Sequence, residues 1–191
     1  ISACLVGSEM CIRDSGTSDV FGSALWGLDY LYVLAEHGAV GANFHGAPNT
    51  TIYGPLIDSA GVRAKPLFYA MLAFHTGAIG ATVPASVATS ANLVAHATLA
   101  GDGTLRVTVI NKDTASSVLA RITPSATYRS ATAQFLTASS VHADTGVTFA
   151  GAGVSTAGQW HAETPFAIPG ANGTFSVPLA TGSAAVVTLT R

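Results

Sequence analysis

The side chains best suited to holding a small ligand lie close together in NFHGAPNTTIYGP: Asn43, Phe44, His45 and Gly46, then Tyr53 and Pro55. Asn, His and Tyr donate and accept hydrogen bonds without carrying a fixed charge. In an extended stretch Asn43 and Phe44 point to opposite faces. Two readings stand for His45: a donor at the end of a strand, or a histidine satisfied by backbone carbonyls. Tyr53 likewise reads either as a ligand-facing phenol or as an ordinary half-exposed loop tyrosine. Metal chemistry finds no footing. His37, His75, His96, His142 and His161 are dispersed, with no His-x-x-x-His pair and third ligand, so neither a metal nor a cofactor is expected.

The elements around this loop have a definite order. Phe21, Leu25, Leu28 and Tyr32 fall at i, i+4, i+7 and i+11, one apolar face of a helix. Ser18 is the expected N-cap, with Asp19 in the first turn, and His37-Gly38 marks the end. Val40 to His45 is short and apolar and reads as a buried strand, so the ligand-holding loop leaves the carboxyl end of a strand. Helix, buried strand and polar loop make a piece of a βα-repeat protein. A second helix begins at Pro66, with Leu67, Met71 and Phe74 as its stripe, Phe68 and Leu72 beside them, and Gly77 as its stop.

Near Val83 the period changes from 3.6 to 2. Leu105, Val107 and Val109 alternate with Thr104, Arg106 and Thr108, the pattern of a half-buried strand. Gly101-Asp102-Gly103 and Asn111-Lys112-Asp113 supply turns on either side. Phe175 and Val177 follow the Asn172-Gly173 turn signal, and Ala185, Val187 and Leu189 close the pattern. An antiparallel β-sandwich is expected from about Ser90 to Arg191, packed on the second helix, with these alternating residues and Leu105 buried. Trp26 and Trp160 read as core residues, and an exposed ligand-stacking platform is the alternative for Trp160. Charged residues are 9% of the chain and hydrophobic ones 49%, with mean hydropathy +0.45, against about 25% charge in typical domains. The net charge of −2, with its eight Lys and Arg scattered singly, argues against a nucleic-acid surface. No apolar run approaches the ~20 residues of a membrane span.

SDVFGSALWGLDYLYVLAEHG, GANFHG, YGPL and KPLFYAMLAF closely resemble the end of the catalytic barrel in glycoside hydrolase family 79, the family of β-glucuronidases and heparanase-like enzymes. LRVTVINKD and SAAVVTL continue the resemblance, which covers Gly16 to Arg191. It implies an α/β part followed by an all-β part: the last units of a (β/α)8 barrel over 16–82, then a β-sandwich over 83–191. In the family, strands from the start of the chain also join the sandwich, so an open edge or gap is expected here. The resemblance implies a retaining double displacement on β-glucuronides, with two glutamates whose carboxyls stand ~5–5.5 Å apart. Both belong upstream of the SDVF helix. Glu9 is the one carboxylate near that place, and Met10, Cys11 and Ile12 after it depart from the Thr-Asn-Ser-like tripeptide of the family nucleophile. The chain alone is therefore expected to be inert. Tyr53 matches the tyrosine that helps bind the sugar carboxylate, with Asn43, Phe44, His45 and Gly46 lining the first subsite. The partner so implied is a glucuronide-terminated glycan, and the full-length enzyme would be secreted or periplasmic. ISACLVGSEMCIRDS, residues 1–15, departs from the family pattern and resembles translated sequencing-adapter DNA; a genuine strand ACLVG is the other reading. Both cysteines, Cys4 and Cys11, lie in it. The functional alternative is a non-catalytic carbohydrate-binding or structural β-sandwich, which leaves the two helices of 16–82 unexplained.

Overall fold

The computed structural model describes residues 16–44, 54–58 and 61–191. Two helices come first, α1 (Phe21–Glu36) and α2 (Pro66–Gly77), with a short hairpin of β1 (Leu56–Asp58) and β2 (Val62–Ala64) between them. A seven-stranded sheet follows. It is built from β3 (Ala81–Val83), β4 (Leu93–Leu99), β5 (Leu105–Asn111), β12 (Ser183–Thr190) and β7 (Ser130–Thr137) in that spatial order. β8 (Thr148–Phe149) and β9 (Phe166–Ile168) both pair with β7. A three-stranded sheet of β10 (Gly170–Ala171), β11 (Thr174–Leu179) and β6 (Val118–Ile122) covers part of the large one. All the pairings are antiparallel. Asn172 and Gly173, at φ 51° and 76°, form the two-residue turn between β10 and β11 that their types announce.

The result is three layers: helices, large sheet, small sheet. Strand geometry sends alternate side chains to opposite faces. Ile110, Leu136, Ala184 and Val186 therefore meet Phe21, Leu25, Leu28 and Tyr32 of α1 and Leu67 and Ala70 of α2 in one core. Val107, Val109, Val187 and Leu189 meet Phe175, Val177 and Leu179 of the small sheet in the other. The four-residue stripe foreseen on α1 is buried throughout, and α2 starts at Pro66 and ends at Gly77 as expected.

Five local expectations need correction. First, α1 is capped neither by Ser18 nor by an acidic first turn: its N-cap is Val20, which has no side-chain capping hydrogen bond. The first N–H groups of α1 are taken instead by carbonyls of the β-domain, Phe21 N–H by Ala143 O and Gly22 N–H by Val141 O, both at 2.8 Å. Asp19 accepts from Gly16 N–H at 2.6 Å. Second, residues 40–44 form no strand, and Val40 is fully exposed; a strand exists only when it is paired, and no described residue pairs with this one. Third, of the stripe expected on α2 only Leu67 is buried, together with Pro66, Tyr69, Ala70, Ala73 and Gly77, while Met71, Phe74, Phe68 and Leu72 are half-buried flanks. Small residues win because the neighbours come close: a Cβ on Gly77 would collide with the Tyr32 hydroxyl and stand 2.6 Å from Thr108 Oγ1. Fourth, β5 is covered on both faces, with Thr108 1% exposed beneath the helices. Fifth, Leu105 is half-buried, because the small sheet does not reach over the start of β5. There an open cleft of about 970 Å³ separates β4 and β5 from β6, which ends its sheet without a second strand neighbour among the described residues.

Candidate functional site

Of the residues foreseen around the ligand, Asn43, Phe44 and Pro55 are described. Asn43 is exposed, and Phe44 is half-buried against the helix-side core. His45, Gly46 and Tyr53, like Glu9 and the whole 1–15 segment, lie outside the described residues.

What the structure defines is the frame at the far end of the loop. Pro55 O accepts from Lys65 N–H at 2.9 Å, closing the β1–β2 hairpin just ahead of α2. A long excursion of the β-domain, residues 138–165, grips this hairpin. Val62 N–H donates to Thr156 O at 2.9 Å, and Val154 N–H donates to the Tyr69 hydroxyl at 3.0 Å. A small cleft of about 460 Å³ runs between the two, lined by Ile57, Arg63, Tyr69, Thr145 and Val154. The same excursion supplies the carbonyls that cap α1, so one β-domain loop orders both helix starts. Trp160 belongs to this packing: its ring stacks on Phe149 at 5.7 Å and its indole N–H donates to Phe149 O at 3.2 Å. Half-buried, it packs against the helix-side core, whereas Trp26, also expected in the core, is 57% exposed on the outer face of α1.

Lys65 was passed over in the sequence, where an isolated lysine before a proline gave no signal. It is 6% exposed at the N-terminus of α2. Burial pushes its ammonium below the ordinary lysine value and Arg63 adds to that, while Asp19 and Asp144 pull the other way.

A second polar cluster, also missed, sits between α1 and the sheet. His96, on the helix-facing side of β4, has Nε2 2.8 Å from Asp29 Oδ1 and Nδ1 2.7 Å from Glu36 Oε1. Lys112 Nζ holds the other Asp29 oxygen at 2.6 Å. Burial alone would raise the Asp29 carboxyl; the hydrogen bonds from Lys112 and His96 outweigh it and hold the group below its usual range. Tyr32 lies flat against His96, 4.8 Å between ring centres, and shares a 2.7 Å hydrogen bond with Thr108. Burial pushes the Tyr32 phenol up to about 12. The available signal was spacing: Asp29 and Glu36 are seven residues apart, on one helix face. Among the described residues no three His, Cys, Asp or Glu are grouped to hold a metal ion, and no helix is long and apolar enough to cross a membrane.

Comparison with known proteins places the geometry. Residues 95–186 match the family described as glycosyl hydrolase family 79 C-terminal beta domain. A solved arabinofuranosidase superposes with TM-score 0.69 at 16% identity, over 89% of this chain and 38% of that one. The bifunctional glucanase-xylanase CelM2 from a metagenome library gives 0.62 at 19%, over 91% and 29%. A xyloglucanase of glycoside hydrolase family 44 from Paenibacillus polymyxa gives 0.64 at 15%, over 92% and 30%. At such identities the likeness is one of fold. The chain spans roughly a third of the length of these enzymes. The search of curated proteins gives no match.

Proposed function

We propose that this chain, which belongs through residues 95–186 to the glycosyl hydrolase family 79 C-terminal β-domain, is the C-terminal part of a retaining hydrolase of β-glucuronides. In this reading residues 16–82 are the last units of its catalytic (β/α)8 barrel, 83–191 are its β-sandwich, and residues 1–15 are foreign to the enzyme. The observation that carries the proposal is the family match of the β-domain with two helices seated on it in a single core. The outer face of α1 supports the barrel reading. Trp26, Tyr30 and Val33, at i, i+4 and i+7, are 57%, 40% and 39% exposed, and the two rings stack at 5.0 Å. An apolar stripe of this kind suits burial against further barrel helices.

In the parent enzyme one glutamic acid protonates the leaving oxygen and a second attacks the anomeric carbon. Of the two described glutamates, Glu36 on α1 is bonded to His96 and Glu163 is exposed on the 138–165 excursion; the proposed pair belongs to the barrel strands upstream. The chain by itself is accordingly inert, and its role is to wall the first subsite. There Tyr53 donates to the sugar carboxylate while remaining neutral, with its ring against the pyranose face. His45 and Asn43 reach hydroxyls, and Phe44 and Gly46 shape the loop. The free-standing binding-module reading has less to rest on. Tyr128, Phe149 and Phe175 are buried, and Trp160 is tied into the core.

The test is to extend the chain with its upstream coding sequence and assay aryl β-glucuronides. Release of the aryl group by the extended enzyme, abolished on removing either upstream glutamate, supports the proposal. Release unaffected by those removals refutes it.

A further inference from the structure

We propose, on the glucuronide reading above, that the cleft between the β1–β2 hairpin and the 138–165 excursion is a saccharide subsite, so that the β-domain itself selects the glycan. A glucuronide-terminated substrate places its end unit in the first subsite, and every further sugar then lies on the leaving-group side. The cleft takes one of those further units.

Its place in the fold comes first. In a barrel of βα units the ligand-facing end lies at the carboxyl ends of the strands, where each following helix begins. The excursion meets that end twice. Its Val141 and Ala143 carbonyls take the first N–H groups of α1, and its Val154 N–H bonds the hydroxyl of Tyr69, in the first turn of α2. Ile57, in the wall of the cleft, follows Tyr53 by only four residues, a length of chain that spans at most about 14 Å. The cleft therefore opens a short step along the glycan from the sugar that Tyr53 would hold.

Its build suits a sugar ring. At about 460 Å³ it falls within the usual size of small-molecule sites. The two walls are fastened to each other: Gly61 sits at φ 107° with room for a Cβ only 3.2 Å from Thr156 O, and the next residue, Val62, donates to that same oxygen. The shape is thus set before a ligand arrives, which lowers the cost of binding. Ile57, Val62 and Val154 give an apolar lining for ring C–H groups. The exposed Arg63 guanidinium comes from the hairpin and the exposed Thr145 hydroxyl from the excursion. Arginine brings five N–H donors in a fixed plane and threonine both donates and accepts. Arg63 and Lys65 share this neighbourhood with Asp19 and Asp144, so these four charges cancel. That balance suits hydroxyl oxygens accepting from Arg63 better than it suits a phosphate-type anion.

The 191-residue chain carries these residues and is titrated with a β-glucuronic-acid-terminated trisaccharide while its backbone amide NMR signals are followed. Saturable shifts are expected at Val62, Thr145 and Val154. Arg63→Ala removes the donors and Thr145→Trp fills the space; both positions are exposed, and each change should weaken binding about five- to tenfold. Arg63→Lys, which keeps the charge and loses the planar fork, should recover only part of the loss. In the enzyme extended with its upstream sequence, Arg63→Ala and Thr145→Trp should raise KM for the trisaccharide by a similar factor. Turnover of methyl β-glucuronide, which reaches no further than the first subsite, should stay unchanged. If the extended enzyme cleaves neither substrate, the glucuronide reading falls, and the titration still decides on the cleft. No saturable shift, shifts confined to other parts of the chain, or an affinity indifferent to both substitutions would overturn the proposal.

Discussion

The two faces of the large sheet are held by different means. Toward the small sheet the contacts are Val, Ala, Leu and Phe, with Val177, Val187 and Leu189 fully buried, and attraction there is non-directional. Toward the helices the same strands present His96, Thr98 and Thr108 among their apolar residues, each with a partner. Thr108 shares its hydroxyl with Tyr32, Thr98 donates to Gly77 O at 2.7 Å at the end of α2, and His96 takes two carboxylates. Hydrophobic contact alone tolerates sliding, whereas these bonds fix one register of helix on sheet. The helix seam is therefore the more exacting of the two, and a change of one atom should be felt there.

Truncation of the helix-side core should have the largest effect. Phe21→Ala removes a ring that is fully buried between α1 and the sheet and should cost about 3–5 kcal/mol in chemical denaturation. If the layers form one unit, the loss shows as a single shifted transition; a separate early step would mean that the helices melt alone. Next comes Gly77→Ala, which drives a methyl into Tyr32 and Thr108 and should cost about 1–3 kcal/mol. Gly27→Ala meets only the tip of Leu67, 2.6 Å from its Cδ1, and better helix propensity offsets part of the strain, leaving a change below ~1 kcal/mol. Equal losses at the two glycines would dissolve the distinction between a rigid and a yielding contact.

Tyr32→Phe strands the Thr108 hydroxyl and should cost about 1–1.5 kcal/mol, much of it recovered by adding Thr108→Val. A double variant no better than the single one would show that the hydrogen bond is incidental. The smallest effect lies on the acid side. The folded Asp29 carboxyl titrates below its unfolded value near 3.9. Its contribution is therefore complete above that pH and lost as pH falls through the folded value. Asp29→Asn should remove this part of the acid slope, a modest change because the side chain is 21% exposed.

Much of the fold was legible in the sequence because it depends on period and on turn chemistry. The α1 stripe, the Pro66 start, the Asn172-Gly173 turn and the alternation in β11 and β12 all follow from local rules. What was not legible depends on neighbours. Thr108 alternates with valines as a solvent-facing residue would, and only the helix layer buries it. Asn111 read as a turn residue; it is 0% exposed, with its amide donating to Ser116 O and Ala180 O. Residues 40–44 have the composition of a buried strand but no described ladder partner. The candidate ligand loop divides in the same way. Phe44 is placed by its packing, whereas the parts assigned to Tyr53 and His45 rest on motif resemblance. His96 was set aside because the histidines are dispersed along the sequence, and its partners lie 60 and 67 residues earlier on another element.

The most direct test of the account is turnover of an aryl β-glucuronide and the matching β-glucoside by the full-length enzyme, its Tyr53→Phe variant and the 191-residue chain. The 191-residue chain alone should release nothing. Tyr53→Phe should cost the glucuronide about ten- to a hundredfold more than the glucoside, as expected for a lost hydrogen bond to a charged group worth roughly 1.5–3 kcal/mol. Equal losses on the two substrates, or hydrolysis by the chain alone, would contradict the account.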